Sequence, residues 1–122
     1  MIQIEGGVIA VTRGDCGIIA VDISAGDEPY QMAAEDTLEL TVRRLPRPDS
    51  PVLLHAVSAP GVAQIALHAE DTQIEPGQYS ADVQLNHGDC RYTVFPPIDI
   101  STGYKTKNRK NFIVCAEVTT NE

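Results

Sequence analysis

The sequence predicts an all-β fold of about eight or nine short antiparallel strands, arranged as a two-sheet sandwich or a barrel. Apolar and polar residues alternate with a period of two along much of the chain, most clearly over 38–43 and 79–85. Turn-forming residues separate these segments at short intervals. No window has the 3.6-residue periodicity of an amphipathic helix. The length of 122 residues corresponds to one domain over 1–122.

Nine segments carry a strand pattern, and turn chemistry separates them. In chain order they are 8–12, 17–23, 38–43, 52–58, 62–68, 79–85, 90–95, 98–101 and 111–119. Gly14 and Asp15 are assigned a structural role in the first turn, because Gly adopts positive φ and Asp side chains bond backbone amides. Segments 31–36 and 70–74 are each long enough for one turn of helix.

Residues 74–79 favour the sandwich over the barrel. Pro76 and Gly77 form a turn after an apolar residue, and Tyr79 then opens an alternating strand. This layout is typical of a tyrosine corner, in which the phenol bonds backbone a few residues upstream. The alternative is an ordinary turn followed by a core tyrosine. We therefore assign Pro76, Gly77 and Tyr79 structural roles, and we expect Tyr79 to be buried with its hydroxyl on nearby backbone.

The charge distribution is acidic overall but uneven. The formal net charge is −8, yet four of the nine basic residues fall between positions 105 and 110. An acidic surface disfavours binding to nucleic acid and to anionic membranes. The segment 102–110 is predicted as a basic loop before the last strand, and its protein-interaction residues are Lys105, Lys107, Arg109 and Lys110. The alternative is a solvated loop that only aids solubility.

The cysteines and the N-terminus bear on where the chain is made. Three cysteines, Cys16, Cys90 and Cys115, give an odd count, whereas a disulfide framework usually has an even one. We expect reduced thiols. No apolar run reaches the length of a membrane span. Glu5 interrupts the apolar start and no basic region precedes it, so we expect cytoplasmic synthesis without a signal peptide.

Residues with catalytic or metal-binding chemistry are scattered. No Gly-x-Ser-x-Gly motif or calcium-loop pattern is present. His55 and His68 on adjacent strands leave a two-histidine metal site open as an alternative, and a calcium ion held between loop aspartates is another. We nevertheless predict no catalytic residue, no cofactor and no metal ion. His87 falls in a turn and is expected to be exposed.

Several short motifs, in their order and spacing over 8–101, resemble the small tail or baseplate proteins of bacteriophages and prophages. They are similar to the N-terminal domain of baseplate upper proteins. The motifs are Thr12-Arg13-Gly14-Asp15, Asp27-Glu28-Pro29-Tyr30, Glu35-Asp36-Thr37-Leu38, Leu40-Thr41-Val42-Arg43, Ala69-Glu70-Asp71-Thr72, Pro76-Gly77-Gln78-Tyr79, Asp82-Val83-Gln84-Leu85 and Asp89-Cys90-Arg91-Tyr92-Thr93-Val94-Phe95-Pro96-Pro97. Cys16 departs from this pattern, where a threonine is expected, and residues 102–110 look like an extension.

The resemblance implies an immunoglobulin-like β-sandwich with a virion-assembly role and no catalytic residues. Its partners would be other tail or baseplate proteins and copies of itself. The chain would be made in the bacterial cytoplasm and incorporated into the virion tail. A non-enzymatic structural component is thus the first expectation.

The second expectation is a carbohydrate-binding β-sandwich involved in host attachment. Such modules present exposed aromatic rings on which sugars stack. The strand pattern leaves Tyr30 and Tyr104 free for that role. An enzyme is the third and least favoured class.

Overall fold

The computed structural model describes residues 2–5, 8–25, 28–47, 49–95, 98–99, 104–105 and 110–117. Strands dominate these residues, which confirms the predicted β class. Their bounds are β1 (Ile2–Glu5), β2 (Val8–Thr12), β3 (Gly17–Ala20), β4 (Ser24–Ala25), β5 (Glu28–Pro29), β6 (Thr37–Arg43), β7 (Val52–Val57), β8 (Gln64–Leu67), β9 (Gly77–His87), β10 (Cys90–Phe95), β11 (Ile98–Asp99), β12 (Tyr104–Lys105) and β13 (Phe112–Cys115).

Seven strands form the main sheet, in the order β1-β2-β13-β9-β6-β7, with β10 also paired to β9. The remaining strands among the described residues form three two-stranded sheets, β3–β8, β4–β5 and β11–β12. The path of paired strands is open, so these residues do not form the barrel that the sequence left as an alternative.

One strand pair corrects the prediction that all strands are antiparallel. β13 runs parallel to β2, with Phe112 opposite Ile9 and Cys115 opposite Thr12. Parallel neighbours need a long connection. Here almost the whole chain lies between β2 and β13, which is long enough for a parallel pair. Because the other pairs of the main sheet are antiparallel, the sheet is mixed.

The alternating pattern places one face of the main sheet in the core, as predicted. Leu38, Leu40 and Val42 on β6 are fully buried, while the residues between them are half-buried. The β3–β8 pair contributes Ile19, Ile65 and Leu67 to the same core. Burying each such side chain contributes about 1.5–3 kcal/mol. The main sheet and the β3–β8 pair therefore contribute side chains to one hydrophobic core.

The helical alternatives had different outcomes. Residues Ala69–Thr72 form one turn of 3-10 helix, close to the predicted 70–74. Residues 31–36 contain only a turn at 34–35 and no helix. The side chain of Asp36 accepts the amide of Ala33 at 2.9 Å, which is a side-chain alternative to helical hydrogen bonding.

β9 is the longest strand, and two strands share one of its edges. β13 pairs with residues Gly77 to Tyr79, and β10 pairs with Val83 to His87. Ala81 lies between them, and the buried side chain of Asn111 fills that gap. Its Oδ1 accepts the Ala81 amide at 2.7 Å and its Nδ2 donates to the Ala81 carbonyl at 3.0 Å. A side-chain amide thus replaces the missing strand.

The two predicted structural turns are present. Tyr79 is 3% exposed and its hydroxyl donates to the carbonyl oxygen of Glu75, four residues upstream, at the bend that contains Pro76. The expected burial and backbone bond are confirmed. In the first turn Gly14 has a φ of 84°, and the Asp15 amide donates to the Thr12 carbonyl at 3.0 Å.

Candidate functional site

One open edge of the main sheet is formed by β7, whose only strand partner among the described residues is β6, and β1 forms the edge at the other end of the strand order. The Ser58 amide donates to the Leu38 carbonyl at 2.8 Å. In an antiparallel pair, residues alternate between pointing their backbone groups at the partner and away from it. Ala56 and Leu54 therefore bond β6, whereas the N–H and C=O groups of His55 and Val57 point to the open edge.

The side chains along this edge are unusually apolar for an unpaired strand. Val52 is 48% exposed and Val57 is 51% exposed. Edge strands of soluble proteins are normally protected by lysine, proline or a bulge. β7 contains neither lysine nor proline, and its one irregularity is a register shift near its start, between Val42 and Arg43 on β6. The stretch from Leu54 to Val57 is regular and unprotected.

A charged network lies on the solvent face beside this edge. The carboxylate of Glu39 meets His55 Nε2 at 2.5 Å, Asn86 Nδ2 at 3.2 Å and Arg91 at 3.5 Å. These contacts lower the pKa of Glu39, and the His55 hydrogen bond is the largest cause. The network holds His55 in place on β7.

The two ends of β7 differ in charge. Glu39 lies opposite Val57 at one end, and Glu35 is exposed just before β6. Arg43 lies opposite Val52 at the other end, and Arg47 follows in the next connection, where it pairs with Asp49 at 3.8 Å. The Arg44 guanidinium lies over the ring of Tyr79 on β9, on the side of β6 away from β7. The edge therefore has an acidic end and a basic end.

A second polar cluster lies at the turn end of the β9–β10 hairpin. Asp36 is only 2% exposed, and its carboxylate accepts the Tyr30 hydroxyl at 2.5 Å and meets His87 Nδ1 at 2.7 Å. The Tyr30 bond is the largest cause of the lowered pKa of Asp36, and the same bond raises the pKa of Tyr30. The cluster ties the 30–36 connection to the end of β9.

An aspartate that orients a histidine is also a component of catalytic triads. Cys90 is the cross-strand partner of His87 in the hairpin register. The hydrogen bonds of the described residues include none between Cys90 and His87, and it is Tyr92 whose pKa the Cys90 side chain raises. No group of three or more potential metal ligands occurs within the described ranges. The contacts of Asp36 with Tyr30 and His87 fit a structural role, in which they connect two segments of the fold.

The predicted interaction residues have different placements. Lys110 donates to the Arg44 carbonyl at 3.4 Å, beside the connection after β6. Lys105 lies in β12, paired with Ile98 of β11, so the segment predicted as a loop contains a short strand. Lys107 and Arg109 lie outside the described residues. Whether the four residues form one interaction cluster stays a prediction.

Two expectations about individual side chains need correction. Tyr30 is half-buried and bonded to Asp36, so it is not free, whereas Tyr92 is 51% exposed. The side chain of Tyr104, the other tyrosine expected to be free, lies outside the described part of the chain. His87 is exposed as expected, but it ends β9 instead of lying in the turn. A signal was available: Gly88 and Asp89 form a two-residue hairpin loop, which brings Cys90 opposite His87. The cysteines Cys16, Cys90 and Cys115 are exposed and free.

Comparison with known proteins gives no relative: the chain matches no protein-family model, no curated protein and no solved structure. Within the part of the chain that the structure describes, no helix has the length and hydropathy needed to cross a membrane.

Proposed function

We propose that this chain is a non-enzymatic assembly component of a phage or prophage tail, acting through protein contacts at the open edge of β7. The observation that carries the proposal is the regular, unprotected stretch of β7, with outward backbone groups at His55 and Val57 beside an exposed valine. We further propose that the fold is a divergent immunoglobulin-like sandwich. The shared core and the Tyr79 corner support this relationship.

An open strand edge binds extended segments by adding a strand to the sheet. Main-chain hydrogen bonds supply affinity, and alternate side chains supply specificity. On β7 the available bonds are those of His55 and Val57, and the apolar contact is the exposed face of Val57. A bound strand would therefore be extended and would present small apolar residues at alternate positions.

The tail assignment is supported by the order of motifs over residues 8–101. Two of these motifs have clear structural roles. Gly14 and Asp15 form the tight turn after β2, and Tyr79 anchors the start of β9. A shared pattern at such fold-determining positions favours common architecture, and the tail role follows from it by analogy alone.

The genes that flank the coding sequence test the tail assignment. A cassette of tail genes supports it, and an unrelated operon contradicts it.

Each flanking product is then co-expressed with this chain and tested for co-purification. We compare wild type with Val52→Lys/Val57→Lys, which places lysines on the edge. The matched control is Ile18→Lys/Val62→Lys, which makes the same charge change at exposed apolar positions outside β7. Loss of the complex in the edge variant alone supports the proposal; equal binding by both variants contradicts it.

Carbohydrate binding is a second candidate, favoured by one observation. Tyr92 presents an exposed ring near Tyr30 and Cys90 at the hairpin end, and aromatic faces stack on sugars. A glycan array with wild type and Tyr92→Ala tests it. Binding that Tyr92→Ala abolishes supports this candidate, and an array without signal removes it.

A further inference from the structure

We propose that the occupant of the β7 edge is a second copy of this chain, paired antiparallel about a two-fold axis beside Ala56. This inference rests on the proposed assembly function and names its partner. In such a dimer the two β7 strands are neighbours, and the same surface of each copy faces the other.

The backbone of β7 determines the register. In the regular part of the strand, the alternation directs the N–H and C=O groups of His55 and Val57 outward. When His55 of each copy lies opposite Val57 of the other, the outward N–H and C=O groups of both residues are paired in both copies, which gives four hydrogen bonds. Ala56 then faces its own symmetry mate across the axis.

The side chains agree with this register. Non-hydrogen-bonded antiparallel pairs bring Cα atoms to about 4.5 Å, so small residues fit there. Ala56 has the smallest side chain of the strand and occupies that pair. On the solvent face the exposed Val57 packs beside His55 of the second copy. The register shift near Val52 twists the strand away and limits pairing to the Leu54–Val57 stretch.

Charge complementarity favours this orientation. Antiparallel pairing brings the basic end of one β7, marked by Arg43, towards the acidic end of the other, with Glu35 and Glu39. A parallel arrangement would bring like charges together. The attraction is long-range and solvent-exposed, so it sets orientation more than affinity and weakens as salt screens it.

A single short strand pair buries less surface than the roughly 1,200–2,000 Å² of stable complexes. The dimer is therefore a weak, concentration-dependent one that assembly with other tail proteins can reinforce.

Sedimentation velocity should give a weight-average sedimentation coefficient that rises with protein concentration for wild type. The Val52→Lys/Val57→Lys variant should remain monomeric, and Ile18→Lys/Val62→Lys should behave as wild type. Identical behaviour of all three proteins overturns the proposal.

Cysteine cross-linking tests the register in a background with Cys16, Cys90 and Cys115 changed to Ser. Ala56→Cys should form a covalent dimer under mild oxidation, because the two Cα atoms lie within disulfide range. His55→Cys and Val57→Cys should not, because each is offset from its mate by two residues, which is more than about 7 Å. Cross-linking at position 55 or 57 but not 56 overturns the register, and none at any position overturns self-pairing. Co-purification with flanking-gene products is a separate result, so the assembly proposal can stand or fail independently.

Discussion

β9 and β7 belong to the same sheet, yet their edges are treated in opposite ways. β9 is paired with β6 along one side and with β13 and β10 along the other. Where those two strands leave a gap at Ala81, the side chain of Asn111 supplies the missing donor and acceptor. β7 is paired with β6 on one side, and its other side has no strand partner among the described residues.

The paired edge of β9 contributes to the stability of the fold, whereas the open edge of β7 is available for association with another chain. Buried backbone groups must be paired, because leaving one unsatisfied costs about 1–3 kcal/mol. Backbone groups at an exposed edge are satisfied by water, so an open edge costs little and remains available to another strand. The fold therefore completes its hydrogen bonds around β9 and leaves them open at β7.

The largest expected effect on the free energy of unfolding comes from removing the Asn111 side chain that completes the hydrogen bonding of β9. Asn111→Ala leaves the amide and carbonyl of Ala81 without partners in a buried position, so we expect a loss of about 2–4 kcal/mol in the free energy of unfolding. Urea titration measures this loss. Gln78→Ala, at an exposed position on β9, is the control and should change stability by less than about 0.5 kcal/mol. A similar small change in both variants would show that Asn111 does not complete the sheet.

A smaller effect is expected at the start of β9. Tyr79→Phe removes the hydrogen bond to Glu75 and keeps the ring, so the free energy of unfolding should fall by about 0.5–1.5 kcal/mol. Tyr92→Phe changes an exposed ring and should have little effect. Equal losses in parallel urea titrations would contradict the tyrosine corner.

An effect confined to acid pH is expected from the Asp36 cluster. Hydrogen bonds hold the pKa of Asp36 below its ordinary value of 3.8. A depressed pKa contributes stability that is present above the ordinary value and is lost as pH falls through the folded-state value. The stability gap between wild type and Asp36→Asn should therefore narrow when the pH is lowered from about 6 to about 3. Asp49→Asn, on an exposed carboxylate, should keep a constant gap. A constant gap for Asp36→Asn would contradict the assignment.

The smallest effect on folding is expected at the open edge. Val57→Lys places a charge on an exposed side chain outside the core, so the free energy of unfolding should change by less than about 0.5 kcal/mol. Thermal and urea unfolding at low protein concentration measure it. A loss of several kcal/mol would mean that this edge is part of the packed fold.

The sequence predicted those elements whose signal is local. β6 and β9 alternate clearly because one face of each is buried, and Tyr79 follows a recognisable turn. The parallel neighbours β2 and β13 were not predictable, because alternation does not say which strand lies beside which. The open edge of β7 was missed for the same reason: an edge strand and a central strand can share one pattern.

The Asp36–His87 contact was missed because it depends on long-range register. The two residues are 51 positions apart, and only the pairing of β6 with β9 brings them together. Asn111 gave no signal either, since an asparagine before a strand usually indicates a turn or cap. Composition suggested a basic loop at 102–110, and its role in interaction stays a prediction. The basic end beside the β7 edge comes from Arg43, and Arg47 in the following connection is paired with Asp49.

Amide hydrogen exchange of dilute monomer, followed residue by residue by NMR, tests the open edge most directly. Amides bonded within the sheet are protected, and amides facing water are not. The account predicts alternation along β7: slow exchange at Leu54 and Ala56, fast exchange at His55 and Val57. At high concentration, or with a bound partner, the His55 and Val57 amides should become protected while the other two change little. Uniformly slow exchange across all four amides in the dilute monomer would contradict the account, because the edge would then already be closed.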